Sequence, residues 1–370
     1  MLKIGPGRAA NIIDYAAETN KTFQNRAFTA VDSLVLSQLS YLHFDGIVSG
    51  SARGIPVTIR EIARRGTPDA LFRGVIDGEN RRRLFAALAR SPRFRGTGLV
   101  FFLNRLDLEK EEQFSAVTCL LGDGTVYAAY RGTDSTFVGW KEDFNMAFLT
   151  PVPSQREGTA YLNAVGHEFP GGIRAGGHSK GGNIAVYSAA KCEPDVQKRV
   201  IGVFSHDGPG FREEFLRCPA YARIRSRIHK TLPQSSLIGM LLQHSERYSV
   251  VKSSRIGLMQ HDPFSWAVEG GAFVSAETVK SGAMFRNKAL NSWIDSLDDQ
   301  KREAFVSALY EVIQATGAKT IDDLTDRWRE KAVAALEAIR GMDEETRSFV
   351  LQTIGLLFRL AVRNLWKARR

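Results

Sequence analysis

A G-x-S-x-G motif occupies Gly177–Gly181 and has the residue types that an activated serine nucleophile requires. In this motif the serine lies at a sharp turn between a strand and a helix, where flanking side chains would clash and glycine is needed. The positive N-terminal end of the following helix favours a developing oxyanion. A strand pattern over 173–176 and a helix pattern over 183–190 supply that context. We therefore predict that Ser179 is a nucleophile, with a structural glycine-rich turn as the alternative, and that His178 packs beneath the turn.

A serine hydroxyl is a poor nucleophile at neutral pH and needs a general base, usually a histidine. The candidates that follow the motif are His206, His229, His244 and His261. We favour His261, because it comes after the last predicted strand in a loop-forming context, and the expected chain order is serine, acid, histidine. His206 comes too early in that order, while His229 lies in a strand pattern and His244 on a helical stretch.

The acid that orients the histidine is predicted to be Asp207. It follows a predicted strand over 200–205 and so lies at the carboxyl edge of the sheet, where catalytic groups collect. The more usual place is one strand later, but residues 234–236 there contain no carboxylate. The alternative acids are Asp262 and Glu246, and it is also an alternative that the site has no acid. Asp207 would then have only a local role, in capping the turn that follows it.

An oxyanion intermediate needs two hydrogen-bond donors. One is expected to be the backbone N–H of Lys180, directly after the nucleophile. The other is expected from the loop 131–134, which follows a predicted strand over 125–130 and contains a glycine that lets the backbone approach. Within it the Thr133 N–H or hydroxyl is the candidate donor. An ordinary turn capped by Asp134 explains these residues equally well.

The elements around these residues alternate between strands and helices. The patterns predict a hairpin over 114–121 and 125–130, further strands at 173–177, 200–205, 227–232 and 248–252, and helices at 28–43, 159–169 and 181–191. This alternation indicates an α/β fold whose mostly parallel central sheet is flanked by helices on both faces.

Residues beyond about 276 have helical periodicity and few β-rich runs. Candidate helices cover 285–296, 299–315, 321–340 and 344–367. We therefore divide the chain into a sheet domain over 1–275 and a helical appendage or cap over 276–370. The segment 349–370 is amphipathic and basic, which is compatible with peripheral contact with an anionic membrane. Packing on the sheet domain is the interpretation that we favour.

Composition narrows the class of protein. Of the 370 residues, 44% are hydrophobic and 24% are charged, which is typical of a folded globular chain. The net charge of +10 is typical of proteins with anionic partners, but we favour the interpretation that a basic surface keeps the protein soluble. No nucleic-acid-binding signature accompanies the charge, so no nucleic-acid partner is predicted. Three separated cysteines without a CxxC pair indicate neither a disulfide framework nor a zinc site.

The N-terminal segment lacks the apolar core of a signal peptide, and no stretch has the ~18 apolar residues that span a bilayer. These patterns predict a cytoplasmic protein. No metal or organic cofactor is expected, and no pattern indicates an oligomeric state.

Several motifs together resemble the class 3 lipases, whose pattern is a strand ending in F-R-G-T, a D-W-x-x-D stretch and G-H-S-x-G. The matching segments are Tyr130–Asp134, Gly139–Asp143 and Gly177–Gly181. The chain is still more similar to a bacterial family of class 3 lipase-like proteins of unknown function. Its additional motifs occur here at Val31–Tyr41, Gly139–Met146, Asp207–Phe211 and Gln260–Trp266. The resemblance covers residues 28–266 and does not extend well into the helical appendage.

This resemblance implies an α/β-hydrolase fold, with Ser179 and His261 in a catalytic triad and Thr133 in the oxyanion hole. The chain departs from the class 3 pattern at 234–236, where those lipases carry the aspartate. Some lipases place it after the preceding strand, which is the position of Asp207.

Together the residues and the resemblance predict a serine hydrolase that cleaves carboxylic esters, of small molecules or of lipids, through an acyl-enzyme. The main alternative is a catalytically silent binding or scaffold protein on the same fold. A thioesterase or a peptidase with the same machinery is a third hypothesis, which a substrate panel would distinguish.

Overall fold

The computed structural model describes residues 9–66, 69–134 and 136–315, with scattered residues between 333 and 351. In these ranges the chain has a mixed α/β architecture built on one eight-stranded sheet. The strands lie in the sheet in chain order: β1 (Val57–Thr58), β2 (Gly98–Asp107), β3 (Glu112–Leu120), β4 (Val126–Tyr130), β5 (Ile173–His178), β6 (Val200–His206), β7 (Ile228–Pro233) and β8 (Tyr248–Val251).

Strands β1 to β4 pair antiparallel, and β4 to β8 pair parallel. The predicted mostly parallel sheet is therefore confirmed. A small antiparallel ribbon is formed by β9 (Val268–Glu269) and β10 (Ala272–Phe273). Because the parallel strands run in one direction, the loops after β4, β5, β6 and β7 all emerge at the same edge, where the candidate site lies.

Helices cover both faces of this sheet. The described helices are α1 (Ile12–Glu18), α2 (Ala30–Ser37), α3 (Ile59–Arg64), α4 (Gly78–Arg90), α5 (Phe137–Asn145), α6 (Pro153–Glu168), α7 (Lys180–Lys191), α8 (Pro194–Arg199), α9 (Glu213–Leu216), α10 (Pro219–Ile224), α11 (Ser281–Ser296) and α12 (Asp299–Ala315). Alternate residues of one strand point to opposite faces. Accordingly Tyr127 and Ala129 of β4 join the apolar core beneath α1, α2 and α4, whereas Ala128 and Tyr130 join the core beneath α6 and α7.

Several elements differ from the sequence-based predictions. No strand is predicted over β2, and a register shift between Val100 and Leu103 explains this, because it interrupts the two-residue alternation that marks a strand. Helix α5 is also not predicted. The helix expected over 28–43 is α-helical only to Ser37 and continues as a 3-10 helix over Gln38–Tyr41. Thr29 caps the start of α2, since its hydroxyl accepts from the N–H of Asp32.

The first two helices predicted in the appendage are present as α11 and α12, and both contact the sheet domain. The side chain of Asn287 on α11 donates to the carbonyl of Ser236 at 2.8 Å. Helix α12 packs Phe305 and Leu309 into an apolar cluster that includes Phe137 of α5. The helices predicted over 321–340 and 344–367 fall largely outside the described residues. None of the helices in the described part of the chain is long and apolar enough to cross a membrane.

Candidate catalytic site

The nucleophile candidate lies at the strained turn that its motif predicts. Ser179 connects β5 to α7 with φ 59° and ψ −135°, in the left-handed region that non-glycine residues seldom adopt. A Cβ atom at Gly177 would lie 2.3 Å from the carbonyl carbon of Gly181, and one at Gly181 would lie 2.2 Å from the carbonyl oxygen of Tyr130. These separations exclude side chains, so the steric reason for glycine at both positions is confirmed.

The histidine and acid candidates meet at the same edge of the sheet. Asp207 follows β6 directly, with φ 51°, and its carboxylate Oδ2 lies 2.6 Å from Nδ1 of His261. The Asp207 side chain is 1% exposed and the His261 side chain 29% exposed. A proton on Nδ1 that is donated to this carboxylate leaves Nε2 of His261 as an acceptor, which is the tautomer that a general base requires.

The second oxygen of the acid is also occupied. Oδ1 of Asp207 accepts from the hydroxyl of Ser236 and from the N–H of Gly239, the latter at 3.2 Å. Both donors come from the loop after β7, the segment in which the sequence offers no carboxylate. A Cβ atom on Gly239 would lie 2.3 Å from Oδ1 of Asp207, so only glycine permits this approach. Sequence reasoning missed both donors, because nothing in the local pattern shows that this loop folds over Asp207.

His178 links the nucleophile turn to the histidine candidate. Its Nε2 lies 2.8 Å from the backbone carbonyl oxygen of His261, and the two imidazole rings are 4.5 Å apart between centroids. Burial lowers the pKa of His178 well below its ordinary value, and the nearby His261 lowers it further. His178 is therefore neutral and donates to this carbonyl, which holds the loop of His261 beside Ser179. The Ser179 hydroxyl makes no hydrogen bond with any described residue.

The other histidines after the motif lie in different surroundings. The side chain of His206 is buried, its Nε2 is 2.9 Å from the hydroxyl of Ser33, and burial lowers its pKa to about 3. His229 stacks on Phe204 at 4.8 Å. The prediction of a helical stretch around His244 is wrong, since the chain there is not helical. Among these four histidines, only His261 is hydrogen-bonded to a carboxylate in the described structure.

The rival acids have other partners. Asp262 forms an ion pair with Arg255 at 2.7 Å. Glu246 accepts from the hydroxyl of Tyr221 at 2.5 Å and pairs with the buried Lys230 at 3.3 Å. Neither carboxylate has a described hydrogen bond to His261, so Asp207 is the acid that the geometry supports.

The proposed oxyanion loop packs directly against the nucleophile turn. A Cβ atom on Gly132 would lie 2.5 Å from the carbonyl oxygen of His178 and 3.1 Å from Cβ of Ser179. The hydroxyl of Thr133 donates to the carboxylate of Asp143, whereas its N–H has no hydrogen-bond partner among the described residues. The N–H of Lys180, in the first turn of α7, has no intrahelical acceptor. The Thr133 N–H is thus a better donor candidate than its hydroxyl.

Asp143 is a half-buried residue that sequence reasoning did not single out. Burial raises its pKa to about 6, and the positive charge of Lys180 and the Thr133 hydrogen bond oppose that rise. Glu142 raises this pKa, and His261 lowers it. Its Oδ1 is buried without a hydrogen-bond partner among the described residues. The Thr133 loop is therefore attached to a group that changes its protonation near pH 6.

We expect Asp143 to make the free energy of unfolding depend on pH. Its pKa is about 6 when folded against an ordinary 3.8, so between these values the folded chain holds a proton that the unfolded chain releases. Stability from this group is therefore greatest below about pH 4 and is lost as the pH rises to 6. Relative to Asp143→Asn, the wild type should gain up to about 3 kcal/mol between pH 7 and pH 4. Urea unfolding followed by circular dichroism at several pH values measures this difference.

Exposed Asp69→Asn is the control for the Asp143 experiment, since it removes a carboxylate without a buried environment. Its stability should follow the wild-type pH dependence. Parallel curves for the wild type and Asp143→Asn would contradict the raised pKa.

Within the described residues no cluster of histidine, cysteine, aspartate and glutamate could hold a metal ion, and all three cysteines are free. The groups at the carboxyl edge of the sheet are a serine at a strained turn, a histidine bonded to a buried carboxylate, and backbone donors. They are suited to nucleophilic attack on a carbonyl or phosphoryl centre.

Comparison with known proteins identifies a family for this chain. A family model described as Mbeg1-like matches residues 88–311, which is more than half of the chain. The comparison with curated proteins finds no match. A deletion mutant of the Rhizomucor miehei lipase propeptide complex is similar at 15% identity and a TM-score of 0.34. The similarity covers 53% of this chain and 64% of the lipase chain, so this chain spans less than two thirds of the length of that lipase chain. The native complex is similar at 16% identity and a TM-score of 0.35, over 67% of this chain and 78% of that chain.

Proposed function

The chain belongs to the Mbeg1-like family, a lipase-like family, and we propose that it is a serine hydrolase that cleaves carboxylic esters through an acyl-enzyme. The proposal includes the α/β-hydrolase fold for the sheet domain. The single observation that carries it is the 2.6 Å hydrogen bond between the buried Asp207 and His261, beside the strained turn that presents Ser179. A strained serine next to an oriented imidazole is the arrangement that generates a serine nucleophile.

In the proposed reaction, the Oγ atom of Ser179 attacks the ester carbonyl while Nε2 of His261 takes the hydroxyl proton. Asp207 orients the imidazole and stabilises the imidazolium that forms. The N–H groups of Thr133 and Lys180 hold the oxyanion. Collapse of the tetrahedral intermediate breaks the bond to the alkoxy group, which leaves as an alcohol with the proton from His261. Water then attacks the acyl-enzyme, with His261 again as base, and releases the carboxylic acid and Ser179.

The lack of a carboxylate at 234–236 is the observation that favours the rival proposal, a binding or scaffold protein without catalysis. The contact between Asp207 and His261 counts against it, because an acid from the preceding strand occupies the equivalent role.

The substrate class is proposed to be small-molecule or lipid esters. The helices α11 and α12, which contact the sheet domain, are proposed to be part of the cap over the site.

A series of p-nitrophenyl esters from acetyl to palmitoyl tests the proposed activity. We expect turnover of at least part of the series and an acyl adduct on the protein in intact-mass spectra taken early in the reaction. Matched p-nitroanilides and thioesters of the preferred acyl group separate an esterase from a peptidase or a thioesterase. A folded protein that turns over no ester and forms no adduct would favour the scaffold interpretation.

A further inference from the structure

A buried ion pair joins the nucleophile turn to helix α5. Nζ of Lys180 lies 2.8 Å from Oε2 of Glu142, and neither side chain is exposed (0% for both). Nζ also donates to the backbone carbonyl of Gln113 at 3.0 Å and to its side-chain oxygen at 3.2 Å. The ammonium group therefore has an acceptor for each of its three protons, which makes its position well defined.

The carboxylate of Glu142 is satisfied in the same way. Its Oε1 accepts from the backbone N–H of Ser154 at 2.7 Å, and its Oε2 accepts from the N–H of Gln113 at 3.2 Å. The pair consequently connects four segments: the beginning of α7, the beginning of β3, helix α5 and the beginning of α6. Such a fully bonded pair holds these segments in one arrangement.

The same helix also holds the proposed oxyanion loop. Asp143, the residue after Glu142, accepts from the hydroxyl of Thr133. The side-chain oxygen of Gln113 accepts from the N–H of Asp134 at 3.4 Å, and a Cβ atom on Gly139 would lie 2.9 Å from Cγ2 of Thr133. Helix α5 is thus attached to the Thr133 loop through Asp143 and to the nucleophile turn through Glu142.

We propose that Glu142 and the side chain of Lys180 are positioning residues that set the separation between the two oxyanion donors, the N–H groups of Thr133 and Lys180. This inference rests on the serine hydrolase function proposed above. The donors must both lie within hydrogen-bonding distance of one oxygen atom, and an error of about 1 Å in such a site can cost about a hundredfold in rate. Stability alone does not account for the pair, because apolar residues in place of a buried ion pair are often at least as stabilising.

A fluorophosphonate probe tests this role, because its phosphoryl oxygen occupies the oxyanion hole during the reaction. The bond from Ser179 Oγ to phosphorus forms as fluoride leaves, and His261 takes the hydroxyl proton. We expect Glu142→Gln and Lys180→Met to lower the maximal rate constant of labelling about tenfold to a hundredfold. The probe concentration for half-maximal rate and the final labelled fraction, measured by intact mass, should stay at the wild-type values.

The matched control is Asp32→Asn, which breaks a second fully buried ion pair, with Arg93, in the core beneath α1, α2 and α4. It should reduce stability without changing the rate constant of labelling. If Glu142→Gln fails to fold, the double variant Glu142→Leu/Lys180→Met is measured instead, because it leaves no buried charge unpaired. We expect it to fold and to show the same fall in rate.

Three results would overturn the positioning role. The first is labelling of Glu142→Gln, or of the double variant in its place, at the wild-type rate. The second is a loss of labelling rate in Asp32→Asn as large as that in Glu142→Gln. The third is a wild-type protein whose Ser179 takes no label. In the first two cases the wild type still labels at Ser179, so the proposed hydrolase function stands and only the role of Glu142 and Lys180 is lost. In the third case the proposed function fails, and the positioning role fails with it.

Discussion

Ser179→Ala should abolish covalent labelling by a fluorophosphonate and lower kcat for esters at least about a thousandfold, to the activity that the oxyanion hole and binding alone can sustain. The reason is that no other hydroxyl group occupies the strained turn beside His261. The fold should be retained, because alanine removes a single oxygen atom and the Ser179 hydroxyl makes no hydrogen bond with any described residue. Labelled mass, ester turnover and thermal unfolding together measure this outcome.

The control for the nucleophile is Ser226→Ala, an equivalent change at an exposed position outside the site. It should label and turn over substrate as the wild type does. A Ser179→Ala protein that still takes one probe per chain would mean that another residue is the nucleophile, and the proposed mechanism would be wrong.

Asp207→Asn should lower kcat about a thousandfold to ten-thousandfold with the fold intact. An amide at this position donates its N–H to Nδ1 of His261, which places the imidazole proton on Nε2. That tautomer cannot accept the proton of Ser179, and the negative charge that stabilises the imidazolium is also lost. Because the carboxylate is buried and accepts from Ser236 and Gly239 as well, thermal unfolding must be measured alongside kcat to separate loss of activity from loss of folded protein.

The same substitution at the neighbouring candidate, Asp262→Asn, is the matched control for Asp207. It breaks an ion pair with Arg255 but leaves the contact between Asp207 and His261 in place, so kcat should fall much less. A larger loss in Asp262→Asn than in Asp207→Asn would assign the acid role to Asp262.

The parts of the site that the sequence predicts depend on local sterics and on chain order. The turn at Ser179 follows from its own neighbours, because only glycine fits at Gly177 and Gly181. Asp207 follows β6 and His261 follows β8, the last strand of the eight-stranded sheet. Because parallel strands end at one edge, both residues are expected there. Proximity of these two residues was therefore predictable, and the structure brings them into hydrogen-bonding contact.

What the sequence could not supply are contacts between distant segments whose residue types carry no distinctive pattern. Ser236 and Gly239 hydrogen-bond to Asp207 only because the loop after β7 folds over it. Nothing in the sequence indicates that Glu142 pairs with Lys180, because their burial depends on a contact between distant segments of the chain.

The secondary structure and the choice of site residues also divide into what local sequence patterns predict and what depends on contacts between distant segments. Regular periodicity was sufficient to predict β5, β6, β7 and β8, whereas the irregular register of β2 hid that strand. The sequence by itself determined the type of nucleophile turn and the edge of the sheet at which the candidate residues gather, because both follow from backbone sterics and strand order. Only the tertiary structure decided which carboxylate meets His261 and which helix holds the proposed oxyanion loop, because both depend on packing between segments far apart in the chain.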